Sequence, residues 1–336
     1  MEVVSIIMLR YILAVLMCFS LGIFSSCGME GGKASKELVI YSEMEPNYTE
    51  ALLAAYNEQY KLTKNFQPAK AIYELSDKVA KPDLVLASNR TLNGLKLDER
   101  LQHSNCQQAN LLPNYYKDSD GYWIGVIYDP VVFVVNQNFA RRVGQGNLTS
   151  WADLENLKNV RYVVENLNNS QGTMSLLAAM ASHMGEQEAI SYIWNLNRNV
   201  TAYGRFPFST IRMVATGEAD MTVTVMSMVA KYLENEFPAY CIEPKEGAPA
   251  NLYGVAVFKD SKSTFSNQQF MNWLLVDDNA RIVTQKKEAG YMFLLPQGDK
   301  QPAVDPKRIW LNTNYLTLPK LEALASQWVE KVRFSN

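Results

Sequence analysis

Apolar positions in this chain fall into short unbroken runs and helical stripes that take turns along its length. Glu37 to Tyr41 is β-rich and reads as a strand. After Pro46, the spacing of Asn47 and Glu50 matches a capping box, and Leu52, Leu53, Tyr56 and Tyr60 recur at helical spacing. Asp83 to Ala87 is the continuous apolar run of a strand buried on both faces, and a helix follows from about Leu92. Gly121 to Asn136 is strongly strand-forming with Pro130 inside it, which predicts two strands or a bent one. Thr149 to Asp153 opens a capped helix. Val160–Val164, Val200–Tyr203, Met221–Val225 and Leu252–Phe258 read as strands. Met174–Met184, Glu186–Leu196, Ser209–Thr216, a long Phe265–Lys287 and a terminal Leu318–Val332 read as helices. This alternation predicts an α/β chain with mostly parallel sheets. Ligands of such sheets sit at the carboxyl ends of strands, beside helix N-termini, so two of them side by side would enclose a cleft.

The 336 residues suffice for about two domains with real cores. A hydrophobic fraction of 48% with 11% aromatic residues excludes a disordered chain. A formal charge of −2 argues against nucleic acid, whose binding draws on a basic stripe. Two histidines and four scattered cysteines leave little for a zinc site or a disulfide framework. At the N-terminus, Arg10, the apolar run Tyr11 to Phe24 and the small residues Ser25 and Ser26 read as an export signal, with a membrane span over Val3 to Phe24 as the alternative. Phe24-Ser25-Ser26-Cys27 resembles the lipobox of bacterial lipoproteins, although Phe24 stands where that motif usually has Leu. The resemblance implies a signal peptide over 1–26, lipidation of Cys27 and a polar tether over 27–36. Glu2 is unusual in a leader, and Met8 offers a more ordinary start.

Enzyme motifs fail one by one: there is no G-x-S-x-G, H-E-x-x-H, Walker loop or C-x-x-C. His103 and His183 are each alone, and adjacent Asp277 and Asp278 do not face each other on a helix. What remains is polar residues at strand-to-helix turns: Ser42 with Glu43, Ser88 to Thr91, Ser170 to Thr173, and Ser209 with Thr210. Such turns offer free N–H groups and a positive helix end, which suits phosphate, phosphonate or carboxylate. The same residues are also the ordinary caps of helices.

The order LVIYSEMEP, PDLVLASNRTLNGL, DGYWIGVIYDPVVFVVN, TSWADL, NSQGTMSLLAAM, STIRMVATGEADM and NLYGVAVFKDS resembles the extracellular solute-binding proteins of ABC importers. More narrowly, it resembles the ferric-iron, aminoethylphosphonate and sugar-phosphate branch of the type II periplasmic-binding fold. That resemblance implies two α/β domains joined by two crossing strands, near Phe133–Asn136 and Val255–Phe258. Domain 1 would comprise 37–132 and 259–336, and domain 2 would comprise 133–258. The implied ligand-binding residues are Ser42, Glu43, Ser88, Asn89, Tyr128, Asp129, Ser170, Gln171, Gly172, Thr173, Arg205, Ser209 and Ser227. Ferric-binding members carry a tyrosine pair after T-G-E, where this chain has Thr222 to Met228 without tyrosine, and methionine does not suit ferric iron. A phosphorylated or phosphonated organic anion is therefore expected first, another small organic solute second and ferric ion third. The implied partners are that ligand, an ABC permease and, through the lipid, a membrane. The implied place is the outer face of the cytoplasmic membrane or the periplasm; the protein is expected to be a monomer, with no cofactor. From a different class, a thiamine-cleaving enzyme on the same fold would use Cys106 as nucleophile. A sensor subunit or a ligand-free surface lipoprotein are further alternatives.

Overall fold

The computed structural model describes residues 37–76, 81–104, 106–167, 171–233, 237–285, 290–296, 298 and 302–334. The leader, Cys27, the tether and Ser170 lie outside the described residues.

The chain opens with β1 (Leu38–Ser42), α1 (Pro46–Tyr60), β2 (Ala69–Ile72), β3 (Leu84–Ser88), α2 (Asn89–Leu97) and β4 (Leu101–Gln102). Next come β5 (Trp123–Asn136), α3 (Gln137–Val143), α4 (Trp151–Asn156), β6 (Tyr162–Glu165), α5 (Gln171–Met184) and α6 (Glu186–Asn197). They are followed by β7 (Val200–Gly204), α7 (Pro207–Thr216), β8 (Met221–Val225), α8 (Met226–Leu233), β9 (Ala239–Ile242) and β10 (Ala248–Phe258). The last part holds α9 (Thr264–Val276), α10 (Asp278–Gln285), β11 (Met292–Phe293), β12 (Ile309–Trp310) and α11 (Leu318–Trp328).

Strands run in the order β2-β1-β3-β10-β5-β8-β6-β7. The outer groups β2-β1-β3 and β8-β6-β7 are parallel, and the long β5 and β10 join them antiparallel. β5 is one unbroken strand, buried throughout. It pairs with β10 up to Pro130 and with β8 from Val131. β10 pairs with β12 through Ala248 and Pro249, then with β5 from Ala250. A proline therefore stands in each strand where its partner changes, where a missing N–H costs no regular ladder bond. These switch points lie three and six residues before the crossings expected at Phe133 and Val255, because a burial pattern carries no mark of which strand supplies the partner.

Two main cores form on either side of the switch. Leu38, Ile40, Leu84, Leu86, Tyr56, Phe270 and Trp273 belong to the first. Phe133, Trp151, Tyr162, Leu177, Met221 and Trp328 belong to the second. Val132 and Val134 face a smaller cluster with Val163, Ile211 and Val229, on the opposite side of the same strand. Both faces of this part of β5 are thus covered, which is why its sequence shows no alternation. Trp310, Leu321, Leu324 and Trp328 pack in the second core. The Trp310 ring lies 5.8 Å from that of Trp151, and the Trp328 ring 6.0 Å, edge-on, from that of Tyr203.

Local details also differ. The expected helix over 265–287 breaks at Asp277, whose carboxylate accepts the backbone N–H of Asn279 and so starts α10. The expected capping box of Asn47 and Glu50 is replaced by Glu45, which caps α1 by accepting from Tyr48 N at 3.0 Å, with Pro46 at the first helical position. The box expected at Ser150 is present, with Asp153 as its reciprocal partner. The Thr216-to-Asp220 turn is held by Arg161, which donates to both Asp220 carboxylate oxygens and to the carbonyls of Gly217 and Glu218.

Candidate functional site

A cavity of about 1370 Å³ opens between the two cores. Its first wall comes from the β1–α1 turn and the start of α1, Glu43 to Tyr48, with Tyr291 beside them. Asp129 and Asn251 on the long strands form its back, and Tyr253 on β10 joins the first wall through the Tyr291 ring. The second wall carries Glu165, Thr173, Arg205, Ser227 and Met228, and it continues inward along Leu177, Met180, Tyr192 and Trp328.

Of the residues expected at a site, Glu43, Asp129, Thr173, Arg205 and Ser227 line this cavity. Ser42, Ser88, Asn89, Tyr128 and Ser209 are turned to structural partners. Ser42 is buried, 2.9 Å from the Thr49 hydroxyl, and accepts Met44 N. Ser88 caps α2, Asn89 donates to the carbonyl of Asn312, and the Ser209 hydroxyl donates to the carbonyl of Phe206. Tyr128 packs in the first core. Gln171 and Gly172 are the first two residues of α5. A polar residue at a strand end is easily absorbed by the nearest helix start, as Ser42, Ser88 and Ser209 are.

The strand-to-helix turns have a common feature that their sequence did not suggest. Each of four helix starts holds a carboxylate of the chain itself. Glu45 accepts from Tyr48 N at the start of α1. Glu43 accepts from the N–H and hydroxyl of Ser88, both at 2.9 Å, and from the Thr91 hydroxyl at 2.7 Å, at the start of α2. Glu165 accepts from the Thr173 hydroxyl at 2.8 Å at the start of α5. Asp129 accepts from Ser227 N at 3.0 Å and from its hydroxyl at 2.6 Å, at the start of α8. Each positive helix end is thereby already faced by a carboxyl group of the chain. Burial raises the Asp129 carboxyl to about 7, with the Ser227 hydrogen bonds opposing, and burial likewise raises Glu165 against the Thr173 hydrogen bond.

Three tyrosines that sequence reasoning missed complete the first wall. The Tyr291 ring lies 4.8 Å from that of Tyr48 and 5.8 Å, edge-on, from that of Tyr253. The Tyr291 hydroxyl accepts from Glu45 N at 3.5 Å. Burial holds all three phenols well above the ordinary range. Gly290, with φ +67, lets this segment lie against α8: a Cβ there would stand 2.5 Å from Ser227 Cα. No spacing rule joins positions 48, 253 and 291. Only Glu45, an acid directly before Pro46, carried a local sign of its role.

Remaining candidates fall elsewhere. Cys106 is buried in the first core, 3.3 Å from Asn272 Oδ1, and burial pushes its thiol up, the reverse of what a nucleophile needs. His183 stacks on Trp310 at 4.1 Å. Among the described residues, no three His, Cys, Asp or Glu side chains form a metal-binding group, and no helix is long and apolar enough to cross a membrane.

A family model described as bacterial extracellular solute-binding protein matches residues 80–317. An uncharacterized Haemophilus influenzae protein is 24% identical over 226 residues, which cover 64% of this chain and 65% of that relative, just under two thirds of its length. Among solved structures, the periplasmic binding protein AfuA from Actinobacillus pleuropneumoniae, with fructose-6-phosphate bound, is similar at TM-score 0.64 and 17% identity, covering 89% of this chain and 99% of that one. Mannheimia haemolytica ferric iron-binding protein A in an open conformation is similar at TM-score 0.67 and 16% identity, over 88% and 98%. At these identities the likeness concerns the fold.

Proposed function

Since this chain belongs to the bacterial extracellular solute-binding proteins, we propose that it captures a small organic solute between its two lobes and hands it to an ABC permease. The architecture is the two-domain type II periplasmic-binding fold. The observation that carries the reading is the cavity of about 1370 Å³, walled from both cores and backed by the strands that pass between them. A ligand touching both walls favours closure because its contacts are complete only in the closed form. Pro130 and Pro249, at the partner changes, are the proposed hinge, which divides the lobes there rather than at the sequence-derived boundaries. Lipidation at Cys27 would keep the receptor beside its permease. Leu177, Met180, Tyr192 and Trp328 support a solute with an apolar part.

The expected phosphoryl or phosphonyl group finds its support in Arg205, which lines the cleft over the Phe206 ring. Ferric ion is the second reading. The three clustered phenols and their neighbouring carboxylates favour it, since hard oxygen ligands suit that ion, whereas the absent tyrosine pair in 222–228 does not. Native mass spectrometry of the soluble form beginning at Gly28 tests the receptor reading. A retained small-molecule mass that leaves on unfolding is the expected result. A bare protein that no solute stabilises against heat would overturn it.

A further inference from the structure

The charge of the cleft wall identifies the sign of the solute. Among the described lining residues, four carboxylates (Glu43, Glu45, Asp129 and Glu165) face one guanidinium, Arg205. Each of the four sits on a helix start, the position where an incoming anion would bind. A phosphate approaching these turns would meet carboxylates instead of open N–H groups. Glu43 already accepts about the four hydrogen bonds that an ionised carboxylate can take, from Ser88 N and from the hydroxyls of Ser88, Thr91 and Tyr41, so a positive group approaching these turns is drawn by charge rather than by vacant lone pairs. Tyr48, Tyr253 and Tyr291 stand on the same wall, and clustered aromatic rings attract a cation to their faces. An independent observation points to a ligand at this wall. Tyr48 is 5% exposed, and its hydroxyl has no hydrogen-bond partner among the described residues. A buried phenol left so calls for a partner that the protein does not supply; its oxygen accepts from an ammonium N–H and its O–H donates to an anion, so it marks a ligand position and the carboxylates decide the sign.

Resting on the solute-receptor reading above, we propose that the ligand is an organic cation: an ammonium or amidinium group held by Glu43, Glu45 and the three tyrosines, with an apolar portion directed toward Leu177, Tyr192 and Trp328. The order of ligands expected from sequence is thereby inverted in sign.

The test uses three probes with one apolar part and different charge: 2-phenylethylammonium, 2-phenylethanol and 2-phenylethyl phosphate, titrated calorimetrically into the form beginning at Gly28. The ammonium should bind at least tenfold more tightly than the alcohol, and the phosphate more weakly than either. Glu43→Gln combined with Glu45→Gln should cost the ammonium about tenfold and leave the alcohol unchanged. Phosphate binding as tight as ammonium overturns the proposal, as does equal affinity for ammonium and alcohol, or no binding by any probe. Ferric citrate that produces a phenolate-to-iron absorption band and displaces the ammonium overturns it in favour of the metal. A retained native mass belonging to an anion would sink the cation while leaving the receptor reading intact.

Discussion

Asp129 sits beside Pro130, where β5 changes partner, and ties that point to the start of α8 through both of its oxygens. It is 2% exposed, and burial raises its carboxyl from 3.8 to about 7. Ser227 on α8, Tyr253 on β10 and Tyr291 ahead of β11 surround it, and none of them is a cation. A carboxyl whose folded value lies above its unfolded value binds its proton more tightly when folded. Its contribution is complete below the unfolded value and is lost as pH rises through the folded one. The shift corresponds to roughly 4 kcal/mol between the two limits. Asp129→Asn removes the titration and keeps the geometry, since an amide oxygen accepts Ser227 N–H and the amide nitrogen donates to the Ser227 hydroxyl. Urea unfolding of both proteins from pH 4.5 to 8.5 isolates the effect, because every other group is common to both. The variant should gain on the wild type as pH rises to about 7 and then level off, by about 1–4 kcal/mol in all. A stability difference that stays flat with pH would refute the argument that Asp129 is buried without a compensating charge.

Other consequences are as direct. Gly290→Ala should cost more than about 2 kcal/mol in urea unfolding, because its Cβ would meet Ser227 Cα at 2.5 Å in a left-handed backbone; a neutral substitution would mean that the Tyr291 segment does not lie on α8. Ser150→Ala should cost about 1 kcal/mol by opening the capping box of α4, read by the same assay. Trp328→Ala should cost about 3–5 kcal/mol, with a lower melting temperature, if α11 completes the second core. Iodoacetamide at neutral pH should alkylate Cys106 slowly until the protein is denatured; fast labelling of the native form would reopen the enzyme reading.

Much of this molecule was legible one segment at a time. The run Leu84 to Ala87, the stripe of Leu52, Leu53 and Tyr56, and the box at Ser150 and Asp153 are satisfied by neighbours a few residues away, so their spacing declares them. The alternation of such segments was enough for the fold class and, with the resemblance, for a cleft between two domains. What periodicity cannot contain is the choice of a distant partner. Glu43 reads locally as a turn residue, yet its carboxylate reaches Ser88, 45 positions on. Asp129 takes its donors from 98 residues away. The apolar face of α11 with Trp328 fits either core by composition, and only its packing on Tyr203 and the second cluster assigns it there. The sign of the cleft follows the same rule. Sequence determined that these turns carry hydroxyls and helix ends; the tertiary structure decided that four carboxylates, brought from elsewhere or folded back locally, fill them. Local backbone preferences act over a turn or two of chain, whereas charge acts through space, between residues that only folding brings together.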